Sequence, residues 1–467
     1  MKKDKLKICV FVDTDIAIRH FIKTDAFKHI NLNHDVTYVF NQDNSTSKIA
    51  TYTNPKTLNL KNISYTNVTR KRTGHWYPLY MATVIRQQKG LPNYKGRISD
   101  AKFQNGKSFV LKSHIRGLPI IYHLYKIYIM MKLKIDKSVI NVIEKEKPDI
   151  LIHPTILQGY HINELLQIKK KYGIPLILLM NSWDNPSAKA VCTGLPSKLV
   201  VWGKQSEQHA KTYLRLPKEN ISILGAAQFQ TYKNKLNYSK DELCNIFNVP
   251  KKKKIIVYAG AGSGRHETLY LKALDKAISD KIIKNTHVIY RPHPWRGGLG
   301  EGEKDFFSLS LKHITMDPHM INYYKSEIKN PTRKVFMIDY KISNMLLNLI
   351  DGLISPLSTM LVEGITLGKP VLVFFPQEYD GKAFSADEIH FAEFIKIEDV
   401  VTVFKFEEFV GGIKKLSSKI GNKLISNRLK KKSEFFHVLD NKSYSEKLND
   451  LTKKVYRDEY KNKKIKY

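Results

Sequence analysis

From Asp351 to Pro376 the chain reads Asp-Gly-Leu-Ile-Ser-Pro-Leu-Ser-Thr-Met-Leu-Val-Glu-Gly-Ile-Thr-Leu-Gly-Lys-Pro-Val-Leu-Val-Phe-Phe-Pro, an order that leaves little choice of fold. Leu353-Ile354 makes a short apolar strand, and Ser355 to Thr359 are placed to cap a helix. Glu363 follows about one turn in, and Gly368-Lys369-Pro370 stops that helix before a second apolar strand. The result is a β–loop–α–β unit with hydroxyls and N–H groups gathered at a helix N-terminus. Such an end attracts an anion, because its first N–H groups lack partners within the helix and the dipole there is positive. A carboxylate on the first turns can accept from a vicinal diol such as ribose. The same residues also suit an ordinary βαβ unit whose Ser and Thr only cap a helix.

At 467 residues the chain is long enough for two or three domains with full cores. Its three scattered cysteines, Cys9, Cys192 and Cys244, show neither CxxC nor Cys/His spacing, which argues against a disulfide framework and a zinc site. Ile8 to Val12 is too short for a signal-peptide core, so a reducing, cytoplasmic setting is expected. The longest apolar run, Leu118 to Leu133, is interrupted by His123, Lys126 and Lys132 and falls short of a membrane span. It reads as a helix, buried in preference to interfacial. The formal charge of +35 should attract something anionic. No nucleic-acid module is recognisable, so no nucleic-acid partner is expected. The diffuse excess of lysine fits an anionic membrane face at the inner side of the plasma membrane, a polyanionic glycan, or simple lysine-rich usage.

In chain order, Lys7 to Val12 is a strand leading into Asp13-Thr14-Asp15-Ile16-Ala17, followed by a helix from Ile16 to about Ile30 and a strand from Asp35 to Phe40. That is the opening of a Rossmann-like domain. Lys48 to Gly117 has basic and aromatic residues together, at Arg70 to Tyr77 and Tyr94 to Arg97, and reads as a solvated loop or an acceptor-facing excursion. Pro148 to Thr155 is a strand ending in His153, and further strands follow at Pro175 to Met180, Lys198 to Trp202 and Ile221 onward. Thr231 to Pro250 reads as a linker. A second domain opens with a strand from Lys254 into Gly260-Ala261-Gly262-Ser263-Gly264-Arg265, where glycines allow backbone N–H groups to approach phosphate. The strand Thr286 to Tyr290 ends in Arg291-Pro292-His293-Pro294, cations and an imidazole suited to an anion. Lys334 to Ile338 is read as another strand, ended by Asp339.

The pattern D-x-L-I-S-x-x-S-T-x-x-x-E-x-x-x-x-G-K-P-V resembles the nucleotide-binding half of GT-B glycosyltransferases and their relatives. These relatives include CDP-glycerol glycerophosphotransferases and hydrolysing UDP-GlcNAc 2-epimerases. Arg291-Pro292-His293-Pro294 is similar to the His-Pro motif of bacterial sialyltransferases, polysialyltransferases and Kdo transferases. Ile174 to Gln230 resembles the end of the N-terminal domain in surface-carbohydrate transferases, although Leu224-Gly225 and Gln230 depart from the usual Thr-Gly and Asp. The resemblance implies an α/β chain of two Rossmann-like domains facing a cleft. These would be an acceptor domain at 1–230, a linker at 231–250 and a donor domain at 251–467, whose last helices could return to the first domain. It places His293, Ser358 and Thr359 on donor phosphate with Arg291 in support, Glu363 on the donor ribose, and Asp339 near the base. Gly260, Gly262, Ser263, Arg265 and Ser355 complete the donor set.

The activity this implies is a metal-independent transfer, without cofactor, from a CMP-, CDP- or UDP-linked sugar to a surface-polysaccharide, lipopolysaccharide or lipid-linked glycan acceptor. Inverting chemistry needs a base at the end of a first-domain strand, for which the candidates are Asp13, Asp15, His20 and His153, with Asp13 or Asp15 preferred. Many retaining enzymes carry two glutamates flanking seven residues, and counting back from Glu363 lands on Ser355, so inversion is favoured. The DxD at Asp13 to Asp15 fits neither haloacid dehalogenases, because Ala17 stands where Thr or Val is needed, nor GT-A enzymes, whose DxD lies deeper in the domain. Alternatives are CDP-glycerol-type polyol-phosphate transfer, a UDP-sugar 2-epimerase, and a non-enzymatic basic binding protein.

Overall fold

The structure is a computed structural model that describes residues 4–42, 53–260, 267–295, 298–299, 303–332, 335–375 and 388–465. These fall into two compact units. One is drawn from Met1–Gln230, Ser385–His390 and Phe436–Tyr467, the other from Thr231–Phe384 and Phe391–Phe435.

The first unit holds a seven-stranded parallel sheet: β1 (Lys7–Val12), β2 (Asp35–Asn41), β3 (Ile63–Thr66), β4 (Ile150–His153), β5 (Leu176–Leu179), β6 (Lys198–Val201) and β7 (Ile221–Ile223). Its order is β3-β2-β1-β4-β5-β6-β7. The second unit holds a six-stranded parallel sheet: β8 (Lys254–Ala259), β9 (Thr286–Arg291), β10 (Ile314–Met316), β11 (Gly352–Pro356), β12 (Val371–Phe374) and β13 (Val401–Val403), in the order β10-β9-β8-β11-β12-β13. Central strands such as Ile255-Ile256-Val257 and Leu176-Ile177-Leu178 are fully buried, as unbroken apolar runs must be in a parallel sheet with no solvent-facing side. Both sheets therefore have the doubly wound order of a Rossmann fold. The order reverses between β1 and β4 in one and between β8 and β11 in the other, and ligands of such sheets bind beyond the strand carboxyl ends at that reversal.

The C-terminal helix Tyr444–Ile465 packs within the first unit. His29 N donates to Ser445 Oγ at 2.7 Å, Ser197 Oγ donates to Glu459 Oε1 at 2.9 Å, and the rings of Phe21 and Tyr444 lie 6.3 Å apart. The stretch read as a linker carries the helix Lys240–Phe247, and it belongs to the second unit.

Four sequence expectations are corrected. The helix expected from Ile16 to Ile30 is broken into Asp15–Ala17, a π-helical turn at Ile18–Ile22 and a separate helix at Lys28–Asn33, with Asp25 at φ 55 between them. Residues 335–339 form no strand, and Phe336 N instead donates a hydrogen bond to Pro294 O at 2.7 Å. The third strand on that side is β10, too short to announce itself. The region Lys48 to Gly117 is no solvated loop: apart from its undescribed start it forms β3 and the helices Arg70–Gly74, Tyr77–Gln88 and Tyr94–Arg116. Arg97 there is buried and donates to the carbonyls of Ala188 and Ala190. Finally, the helix Pro119–Leu133 buries only Tyr122 and Ile129, while Ile120 is 77% and Leu124 64% exposed. Apart from His123, Lys126 and Lys132 it is made of apolar and aromatic residues, one face packs on the helices Tyr77–Gln88 and Tyr94–Arg116, and no described residue covers the other.

Candidate functional site

In the second unit the donor candidates come from strand ends along the carboxyl edge of the sheet. Arg291, the last residue of β9, is 5% exposed; its Nη2 donates to Ser343 Oγ at 2.9 Å and its Nη1 lies 3.7 Å from Asp317 Oδ2. Asp317, just past β10, is fully buried, so the two charges stabilise each other where neither could stand alone. Two residues on, half-buried His293 accepts through Nδ1 from Trp295 N at 3.1 Å. An Nδ1 that accepts puts the neutral ring's proton on Nε2, the form that donates to an anionic oxygen.

Ser355 is a strand residue and not a cap. It is buried at the end of β11, and its Oγ donates to Ala259 O at 3.0 Å, tying β11 to β8. The helix begins only at Met360 and runs seven residues to Thr366, with Thr359 before it and Ser358 Oγ accepting from Met360 N at 3.3 Å. Gly368, at φ +70, lets the chain turn away from the helix end. Glu363 is 8% exposed and accepts a hydrogen bond from the hydroxyl of Tyr232. Burial pushes the Tyr232 hydroxyl well above the ordinary tyrosine value; negative Glu363 and then Tyr340 push it further, and Arg291 opposes them. Arg291 and Glu363, 72 residues apart in the numbering, thus act on one buried phenol.

Gly260 follows β8 and has a reason of its own to lack a side chain: a Cβ there would collide with the carboxylate of Glu267, which is buried and accepts from Tyr290 Oη. Gly262, Ser263 and Arg265 lie outside the described residues. Asp339 is exposed and ends no strand. Its carboxylate accepts from Lys341 N at 2.8 Å and caps the helix Tyr340–Leu349.

In the first unit, Asp13 and His153 meet where the sheet order reverses. Asp13 follows β1 and His153 ends β4. His153 Nε2 lies 3.8 Å from Asp13 Oδ2, and both residues are buried. The other ring nitrogen, Nδ1, faces Phe11 O at 2.8 Å, and because a carbonyl can only accept, Nδ1 carries a proton. Burial raises the Asp13 carboxyl above the usual aspartate range, with His153 and the backbone N–H groups of Tyr160 and Asp13 acting against it. Neighbouring His161 is held by burial at about 3 and is neutral. A carboxyl shielded from water takes up and holds a proton more readily than one in water. Asp15 is committed elsewhere, its Oδ1 accepting from Thr53 N at 3.0 Å, and desolvation, then Arg19, holds His20 at about 3. Also buried is Glu164, which burial raises to about 7; its Oε1 lies 3.5 Å from Arg72 Nε.

Sequence reading missed Tyr232, Ser343, Asp317 and His161. Tyr232 sits in a stretch read as linker, and its tie to Glu363 spans 131 residues, so no local pattern marks it. Among the described residues no group of His, Cys, Asp and Glu could hold a metal ion, and no helix is long and apolar enough to cross a membrane.

No protein-family model matches the chain, and no curated protein sequence does. Solved structures do. The glycotransferase of kitacinnamycin aligns over 96% of this chain and 98% of its own, at 10% identity and a TM-score of 0.51. This chain has the GT-B fold. Lower likenesses include the wall teichoic acid polymerase TagF, at 13% identity, 98% and 90% coverage and a TM-score of 0.46. A UDP-N-acetylglucosamine 2-epimerase from Rickettsia bellii shows 13% identity, 92% and 95% coverage and a TM-score of 0.48. Those two scores decide nothing between transferase and epimerase. In GT-B terms β8 to β13 form one Rossmann-like unit and β1 to β7 the other.

Proposed function

We propose that this GT-B chain is a glycosyltransferase that moves a sugar from a CMP-, CDP- or UDP-linked donor to a surface-polysaccharide, lipopolysaccharide or lipid-linked glycan acceptor. The reading rests on the second unit, where Arg291, Glu363 and Tyr232 share one buried neighbourhood and His293 and Ser358 follow β9 and β11, the two strands that flank β8, on the same edge of the sheet. In this reading Glu363 holds the ribose diol, and the Nε2–H of His293 and the hydroxyls of Ser358 and Thr359 meet the diphosphate. No step calls for a metal: fixed donors stabilise the charge that builds on the leaving nucleotide. Asp13, with His153 beside it, takes the acceptor proton as the acceptor oxygen attacks the anomeric carbon. Inversion is the outcome favoured by Ser355, because its hydroxyl stands where a retaining pair would need a carboxylate. The first unit would take the acceptor, and the protein would work peripherally at a cytoplasmic membrane face.

A thermal-shift screen with UDP, CMP, CDP and GDP tests this. A ligand at a hundred times its Kd adds about 2.7 kcal/mol to the stability of the state it binds. One nucleotide should raise the melting temperature clearly above the others and so name the donor class. No response to any of them would reject the donor site. Release of CMP from CDP-glycerol, with no turnover of a nucleotide sugar, would reassign the protein to polyol-phosphate transfer.

A further inference from the structure

The helix Pro119–Leu133 and the helix before it, Tyr94–Arg116, turn an apolar face to solvent. On Pro119–Leu133, Ile120, Leu124, Ile127 and Met131 recur at intervals of four, three and four residues, and each is at least half exposed. That spacing is one stripe along a helix, the pattern that elsewhere faces a core. The opposite face supplies Tyr122 and Ile129, which pack with Trp76 and Leu79 in the first unit. Leu111, Ile115 and Leu118 continue the exposed apolar surface onto the preceding helix and the turn. Monomeric proteins rarely leave a contiguous surface of this kind open unless something docks there.

Its charge points to the occupant. Between Asp100 and Asp136 the sequence has seven Lys or Arg and no Asp or Glu. Some of these cations sit against the aromatic rim, with Arg116 4.9 Å from the centre of the Tyr125 ring and Lys132 5.8 Å from that of Tyr128. A second copy of the chain would bring the same cations face to face across a twofold axis, and Lys is depleted from protein interface cores. An anionic bilayer matches both features, with acyl chains for the stripe and lipid phosphates for the lysines.

We infer that the face formed by Leu111, Ile115, Leu118, Ile120, Leu124 and Ile127 beds the protein into the surface of an anionic phospholipid membrane. The helix Pro119–Leu133 lies in the plane of the headgroups, in keeping with the lack of any membrane-crossing helix among the described residues. This binding needs no nucleotide and so stands or falls apart from the transferase reading.

The test is flotation of the full chain with vesicles of phosphatidylcholine alone and with about one-third phosphatidylglycerol. Leu124→Glu/Ile127→Glu changes two exposed residues and lowers the formal charge of +35 by only two. The control Ile282→Glu/Leu424→Glu makes the same charge change at exposed sites in the second unit. The parent and control should bind anionic vesicles at least tenfold more tightly than neutral ones, and Leu124→Glu/Ile127→Glu should lose at least tenfold. Leu124→Trp gives an independent readout, its emission shifting to the blue with anionic vesicles. Equal binding by both Glu pairs would show that diffuse charge alone acts and would overturn the inference. So would an unshifted Trp emission, or a parent dimer that Leu124→Glu/Ile127→Glu splits without any vesicle binding.

Discussion

Glu363→Ala should weaken binding of the preferred nucleotide by an amount that depends on the ribose hydroxyls. The carboxylate is 8% exposed, so a hydrogen bond it accepts from a ribose hydroxyl is shielded from water and charge-assisted. Such a bond contributes about 1.5–3 kcal/mol, which is about ten- to a hundredfold in Kd. The substitution also deprives the buried Tyr232 hydroxyl of an acceptor, at about 1–3 kcal/mol of stability. The two effects separate in a cycle measured by isothermal titration: parent and Glu363→Ala, each with the ribonucleotide and its 2′-deoxy form. The stability loss falls on both ligands alike and cancels, while the ribose term survives only with the ribonucleotide. Glu363→Gln, which keeps an acceptor for Tyr232, should recover most of the melting temperature and little of the affinity. If both ligands lose equally on Glu363→Ala, or the parent binds the deoxy form as tightly as the ribonucleotide, Glu363 does not hold the ribose.

Asp13→Asn should cut transfer by about a hundred- to ten-thousandfold. Because burial raises the Asp13 carboxyl, its ionised form costs stability above that raised value, so the same variant should melt higher than the parent at neutral pH and lose that advantage below about pH 4; a variant that melts lower at neutral pH would contradict this. Glu164, ordinarily near 4.5 and here about 7, binds its proton more tightly folded than unfolded, so stability falls as pH rises from 4.5 to 7. Glu164→Gln should flatten that part of the melting profile, and an unchanged slope would refute the shift. Arg291→Met takes the guanidinium away from buried Asp317, which keeps the backbone N–H of His319, and should cost up to about 3–5 kcal/mol by denaturant unfolding. Arg291→Met/Asp317→Leu should recover much of that loss, and equal instability of the two variants would mean the pair is not the cause.

The sheets were legible because their strands are apolar runs of four to seven residues bounded by polar turns, as at Lys7–Val12 and Leu176–Leu179. The order of elements then follows from the βαβ rule. Two short strands, Ile314–Met316 and Val401–Val403, carry too few residues to stand out, and Lys334 to Ile338 is apolar enough to mimic one. The Pro119–Leu133 helix misled for a different reason: periodicity tells which residues share a face, but not whether another element covers it. At the site, Asp13 and His153 were marked by strand ends, and the structure brings them together. Ser355 was misplaced because a hydroxyl at a strand end serves a neighbouring strand as readily as a helix cap. Tyr232, Ser343 and Asp317 carry no motif, since they matter only through side chains far away in sequence.

The most direct test of the donor site is isothermal titration, with EDTA present, of the nucleotide chosen by thermal shift into the parent and His293→Asn. The Asn oxygen can still accept from Trp295 N, as His293 Nδ1 does, but the Nε2 donor is gone. The account expects the parent to bind without metal and His293→Asn to bind at least tenfold more weakly at an unchanged melting temperature without ligand. Binding that disappears in EDTA, or that is equal in the two proteins, would contradict it.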